Sequence, residues 1–502
     1  MGLLSPLYTD EFLDTLQLGA DGVTAPNPAN PITTGGVLRL TGPNDTDIYD
    51  STVIHLEREG YGLNSTLFLW AYDWRKDIPT NADALLNYID TVRRATGSPV
   101  VDLLGHSQGG LLALVALSRF NTVNRVRKVV TLGAPILGSA KSLGLVHFAE
   151  PCFVERLGVC LYNKLAVRNA LRNAPAAYQL APGALYDDAI GVAVNLNYDR
   201  DRDGRVEGNL SHAQWLEVVS QERNRNLAAT NELFHNRYDK ATPLDRLVQV
   251  VRVVGANTPT IETIQQYIFC PMMGPCEFRY TLYLTSGDGT VQQHAADLCN
   301  PAKSFDERRG IPNKLFNRVE HSDLAINPDV LNFVVGYFKG TIAVAPSPEC
   351  ERLPRSTADD EQHAVELEVH GPLDAEIADA HNRTFHPGQQ EVDPTTAIPG
   401  MNYFDLRPSQ SFYIQGHDSY TATLQVAGAR DMTLRVKTFT DWERQTSATF
   451  DLLERDAPIG TRLVIRFATR LDPSTLRLEI DRDADGSIDA VIAPSAIETA
   501  QP

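Results

Sequence analysis

The chain has 502 residues, with 45 Lys and Arg against 63 Asp and Glu for a net charge of −18, and 43% hydrophobic residues. This length allows two to four domains with a sizeable buried core, and the composition excludes a disordered or collagen-like chain. So acidic a chain repels phosphate backbones, which argues against a nucleic-acid partner, and no apolar run approaches the roughly 18 residues of a membrane span, so no transmembrane segment is expected.

The N-terminus, MGLLSPLYTDEF, carries neither a basic n-region nor a cleavable apolar stretch, so no signal peptide is read there. The runs 66–71 (TLFLWA), 99–104 (PVVDLL) and 126–132 read as buried strands, and 81–96 and 109–120 between them have helical period and length. Strand–helix alternation of this kind predicts a parallel sheet with helices on both faces. From 136 to about 277 the rhythm breaks into helices, Pro/Asn loops and an acidic stretch, which reads as a cap inserted in the core. A strand is expected again at 278–285, and a last core helix at Pro328, with Asn327 as its cap.

The first domain is therefore read as a core in two parts, 1–135 and 278–344, around a cap at 136–277. A Pro-, Ser- and charge-rich linker follows at 345–362. Residues 351–502 hold 26 acidic and 14 basic residues. The short alternating runs at 420–426, 433–439 and 462–467 predict an all-β, sandwich-like domain over 363–502. Of six cysteines, Cys152 with Cys160 and Cys270 with Cys276 form close pairs, which read as small disulfide-closed loops or as buried thiols; Cys299 and Cys350 stand apart.

The sequence Gly105-His106-Ser107-Gln108-Gly109 is a G-x-S-x-G motif between an apolar strand and an apolar helix. The chemistry needs Ser107 on a tight strand-to-helix turn, with small residues letting the two elements cross. It also needs an acid and then a histidine later in the chain. Asp288, just past the strand at 278–285, and His321, before the last helix, stand in that order. Taken alone, Asp288-Gly289 is also an ordinary turn dipeptide, and His321 an ordinary surface histidine. His106 reads as packing. The N–H of Gln108 is the expected oxyanion donor.

Beyond these residues, Tyr72-Asp73-Trp74-Arg75, Gly133-Ala134-Pro135 with Gly138-Ser139, and Gly287-Asp288-Gly289-Thr290-Val291 are similar to blocks of the lecithin:cholesterol acyltransferase family. The resemblance spans 72 to 323 and implies an α/β-hydrolase core with Ser107 as nucleophile, His321 as general base and Asp288 as its orienting partner. It further implies a lipid ester as acyl donor, met at a membrane or lipoprotein surface, and no cofactor for catalysis. The Tyr72–Arg75 block either lines the acyl site or packs as a unit. Family members begin with an apolar strand ending in a Gly-rich loop that donates a second oxyanion N–H. Nothing like it precedes Tyr72, so the chain is expected to lack its front and to be poorly folded or weakly active, unless Val37–Thr41 and Gly42 substitute.

Two acidic loops remain. Asp199, Asp201, Asp203, Gly204 and Glu207 follow D-x-D-x-D-G-x-x-E, and Asp481, Asp483, Asp485, Gly486 and Asp489 follow D-x-D-x-D-G-x-x-D. Carboxylates at alternate positions suit structural calcium, although Leu210 and Ile492 stand where an EF-hand has its bidentate Glu. A solvated acidic turn is the alternative for each. Cysteine pairs and calcium loops together point to an extracellular, secreted protein. The sequence is thus read as a lipase, phospholipase or O-acyltransferase; the alternative is a catalytically impaired hydrolase fold that binds lipids or surfaces.

Overall fold

The structure is a computed structural model that describes residues 15–25, 34–41, 46–119, 124–148, 155–156, 159–160, 164–198, 200, 206–239, 248–270, 276–298, 311–344, 363–387, 398–406, 409–416, 418–440, 443–470 and 472–499. The linker at 345–362 lies outside them.

Helices α1 (Asp50–Arg58) and α2 (Ile78–Thr96) precede the central sheet. Asp77 starts α2 by accepting the Thr80 N–H at 2.9 Å, and Gly97 ends it in the left-handed region. The chain continues through β1 (Val101–His106), α3 (Gln108–Leu117) and β2 (Val126–Leu132). After the cap come β3 (Gln249–Ala256), β4 (Thr258–Phe269), β5 (Glu277–Gly287), β6 (Asn313–Asn317) and α4 (Pro328–Lys339). The central sheet is parallel, in the order β6-β3-β2-β1. Helices cover both faces, so β2 and β3 are almost wholly buried and read as near-continuous β-branched runs. Asn327 caps α4 by accepting the N–H groups of Asp329 and Val330, as its sequence predicts.

The run 66–71 is not a strand: it joins no ladder, and its only pairing is a single bridge from Leu63 to Leu67. A strand exists only with a partner, and this run has none among the described residues. Aromatic packing holds it instead, Trp70 stacking on Tyr72 at 5.3 Å and on Tyr88 at 6.2 Å. Among the described residues β1 is therefore the edge of the sheet, and all six of its residues are only half-buried. Val37–Thr41 does not fill that place. Leu40–Thr41 pairs with Thr46–Asp47 in a separate two-stranded ribbon, and Gly42 lies outside the described residues.

The cap packs helices between Lys164 and Tyr238 around Tyr178, Tyr186 and Trp215. Two of its expected limits shift. Gln249–Ala256 was expected within the cap but is β3, hydrogen-bonded to β2 on one side and β6 on the other. Conversely, 278–285 does not rejoin the central sheet. It lies in β5, the outer strand of a second sheet ordered β5, β4, Val194–Asn197, Gly208–Leu210. A disulfide between Cys270 and Cys276 closes the far end of the β4–β5 hairpin, as the cysteine spacing suggests. The side chains of Cys152, Cys160, Cys299 and Cys350 fall outside the description.

The C-terminal domain is a sandwich of two six-stranded antiparallel sheets. In β7 (His363–His370), Val365, Leu367 and Val369 enter the sandwich core, and by the two-residue period Glu366, Glu368 and His370 face the other way. That outer face is buried too, because the β4–β5 hairpin covers it. Tyr267 Oη approaches His370 at 3.4 Å, Arg279 donates to the Asp431 carbonyl at 3.4 Å, and the Tyr283 ring lies 5.9 Å from Lys437 Nζ. Lys437 is carried by β8 (Met432–Thr440), and a last hairpin joins β9 (Leu478–Asp481) to β10 (Ala490–Ile492).

Candidate active site

The turn between β1 and α3 holds Ser107 at φ 54° and ψ −126°, a conformation that costs a non-glycine residue strain. Close crossing of strand and helix imposes it. A Cβ on Gly105 would stand 2.6 Å from the Gly109 carbonyl oxygen, so no side chain fits there. The Ser107 N–H donates to the Leu132 carbonyl at 2.8 Å, tying the turn to the end of β2. Gln108 opens α3, so its N–H has no carbonyl one turn back and lies at the positive end of the helix dipole. Its side chain donates to the Trp74 carbonyl at 3.0 Å.

Asp288 follows β5 and is buried. Its Oδ1 accepts the N–H groups of Thr290 and Val291, at 3.0 and 2.7 Å, and its Oδ2 accepts from His321 Nδ1 at 2.8 Å. A second bond runs from the His321 N–H to the Asp288 carbonyl at 2.7 Å. With its proton on Nδ1, His321 keeps a free lone pair on Nε2. No hydrogen bond joins Ser107 Oγ to His321 among the described contacts. Their neighbourhood is fixed by the residues flanking the nucleophile and its anchor, His106 and Gly133.

The sequence reads His106 as packing, and the structure gives it more to do. Its Nε2 donates to the His321 carbonyl at 2.8 Å, which leaves Nδ1 to accept the Tyr49 hydroxyl at 2.9 Å. Burial, reinforced by the nearby His321, pushes the His106 pKa down to about 3, so the ring stays neutral and this donor–acceptor order is kept. Tyr49, just before α1, carries no sequence signal for such a role.

Gly133, at φ 56°, is the other support that sequence reasoning underrated. A Cβ there would lie 2.8 Å from Asp288 Oδ2 and 3.0 Å from His321 Nδ1. Gly133→Ala should therefore displace the acid–base pair and lower kcat on a p-nitrophenyl ester by about 10²-fold or more, with KM little changed. Turnover near that of the unaltered enzyme would contradict this geometry.

The other blocks meet around the same centre. Ser139 donates its hydroxyl to the Thr290 carbonyl at 2.6 Å, pinning the turn that carries Asp288. Arg75 grips Asp73 through two bonds, of 2.8 and 2.7 Å, and donates to the Leu16 carbonyl. Partial burial raises the Asp73 pKa, but the guanidinium outweighs it and holds the carboxyl below the usual range. The Asp73–Arg75 pair thus packs, whereas Tyr72 is half-buried with its hydroxyl 3.6 Å from where a Cβ on Gly109 would sit, and Trp74 is exposed.

Of the two acidic loops, Asp199, Asp201 and Asp203 lie outside the described residues. Glu207 receives the Arg200 N–H on both carboxylate oxygens, at 2.7 and 2.9 Å. Asp481, Asp483 and Asp485 converge in the loop between β9 and β10, in the sandwich domain; Asp489 accepts the Arg482 N–H at 2.7 Å.

A parallel sheet with helices on both faces, a strained serine turn at a strand end, and an acid and histidine following in that order define an α/β-hydrolase. Residues 38–270 match the family model described as Lecithin:cholesterol acyltransferase, so the resemblance carried by the motifs holds over that stretch. The match covers just under half of the chain and supports, in general terms, an enzyme acting on lipid acyl esters. No curated protein sequence matches the chain.

Among solved structures, the Tle4–Tli4 complex is similar at 14% identity and a TM-score of 0.41, over 66% of this chain and 79% of that one. The propeptide form of Bacillus licheniformis lipase BlEst2 is similar at 11% identity and a TM-score of 0.30, over 75% and 87%. Phospholipase PlaB from Legionella pneumophila gives 9% and 0.23, over 82% and 88%. Likeness at this level carries no argument about activity. No helix among the described residues is long and apolar enough to cross a membrane.

Proposed function

We propose that the protein is a secreted serine acyl enzyme that takes an acyl group from a lipid ester onto Ser107 and passes it to water or an alcohol. Ser107 Oγ attacks the ester carbonyl while His321 Nε2 accepts its proton, and Asp288 Oδ2 holds the imidazolium that forms. The N–H of Gln108 receives the developing oxyanion. Collapse expels the alcohol, which takes its proton from His321, and a water or second alcohol repeats the sequence in reverse.

The 2.8 Å bond between Asp288 and His321, set against the strained Ser107 turn, is the observation that carries this reading. The exposed Trp74 beside Gln108 suits an approach to a lipid surface, and the Cys270–Cys276 disulfide suits an oxidising compartment.

A fluorophosphonate probe is the decisive experiment. It should label Ser107 stoichiometrically and stop release of fatty acid from phospholipid vesicles. The second reading, an impaired hydrolase that binds lipids, is favoured by the open edge at β1. It predicts vesicle binding without labelling, and that result would overturn the enzyme.

A further inference from the structure

We infer that the loop between β9 and β10 is a calcium site built from Asp481, Asp483, Asp485 and Asp489. Acidic residues at alternate positions of a turn are common without an ion, and their spacing alone proves nothing. The position of Asp481 separates this loop from a solvated turn. Asp481 is 0% exposed, and its Oδ1 is buried with no hydrogen-bond partner, while Oδ2 accepts the Gly486 N–H at 3.0 Å from across the loop. A carboxylate withdrawn from water with one oxygen unsatisfied is costly unless a cation completes it.

The remaining geometry fits such a cation. One carboxylate oxygen from each of Asp481, Asp483 and Asp485 lies within 4.8 Å of the others. Oxygens on opposite sides of a calcium ion stand about twice its roughly 2.3–2.6 Å bond length apart, so the three already occupy one coordination sphere. Asp489 closes the same loop, its Oδ2 accepting the Arg482 N–H at 2.7 Å. Among the described residues none of these four carboxylates forms an ion pair with Lys or Arg, so nothing else neutralises them.

The donor set is all oxygen and flexible, which favours calcium over magnesium or zinc. Its role would be to hold the β9–β10 hairpin against the sandwich, since Leu478 and Ile480 of β9 are core residues while β10 is a half-exposed edge.

The test uses the full chain, stripped with a chelator and then titrated with CaCl2 while unfolding of the sandwich is followed. Millimolar calcium should raise Tm by several degrees, by mass action on the native state. The double variant Asp483→Asn/Asp485→Asn changes two exposed residues, so it should fold as before and lose the shift. Asp481→Asn should also lose it, yet melt higher than the stripped parent, because a neutral amide replaces a buried, unpaired charge. An unchanged Tm on adding calcium would overturn the site, and so would a full shift surviving in the double variant, which would place binding elsewhere.

Discussion

Ser107→Gly should abolish ester turnover, by about 10⁶-fold, and at the same time make the protein more stable. Loss of the nucleophile removes the covalent step outright, leaving only what binding and the oxyanion donor supply. The gain in stability has a different source. At φ 54° and ψ −126° the serine holds a backbone conformation that a glycine adopts freely. Release of that strain is worth about 1–3 kcal/mol, and the extra freedom of glycine in the unfolded chain takes back about 0.4–1, for a net gain of about 1 kcal/mol. Ser107→Ala keeps the Cβ and the strain, so it should be equally inactive with Tm unchanged. Turnover of a p-nitrophenyl ester by either variant would remove Ser107 from the mechanism, and an alanine variant that gains as much stability as the glycine one would remove the strain argument.

The second large effect is expected far from the nucleophile. Lys437 Nζ lies 3.0 Å from Glu366 Oε2 and 2.7 Å from Glu368 Oε1, and all three side chains are buried under the β4–β5 hairpin. Arg435 also reaches Glu368, and Ser411 donates to Glu366. Burial pushes the Glu366 carboxyl up, whereas Glu368, equally buried, is pulled well below its ordinary range by Lys437, His370 and Arg435. Lys437→Met leaves two buried carboxylates with Arg435 as their one Lys or Arg partner among the described ion pairs, which should cost about 3–5 kcal/mol at neutral pH.

The sign of the pH dependence follows from these directions. In the variant Glu366 loses its cation, so its folded-state pKa rises further above the unfolded value. Stability is then lost as pH rises from the ordinary carboxylate range towards neutrality. Denaturant unfolding should accordingly show a smaller deficit near the ordinary carboxylate pKa than at neutral pH. A deficit independent of pH would mean that packing, and not charge, is what Lys437 supplies.

Much of the site was legible because its requirements are local. Residues 105–109 set the turn, and Asp288 and His321 follow in the order this chemistry uses. The strand at 126–132 and the helix opening at Pro328 were likewise written in hydrophobic period and capping residues. What escaped was membership of a sheet, which depends on partners distant in sequence. The run at 66–71 is as apolar as β2 yet pairs with almost nothing, while β3, assigned to the cap, is bonded on both sides in the core. Burial of charge escaped for the same reason: nothing in the β7 sequence says that both of its faces are covered. Asp481, one acid among several in its loop, likewise carries no mark of being fully enclosed.

The β4–β5 hairpin ends in Asp288 at the catalytic centre and lies along the sandwich through Tyr267, Arg279 and Tyr283. His321 follows β6 in the same α/β domain, so the strand that positions the acid is also the one against which the sandwich docks. The two domains then form one cooperative unit in which the acid–histidine bond reports on the whole. Heating should extinguish catalysis and melt the sandwich in a single transition, with no interval in which a free hydrolase body goes on working.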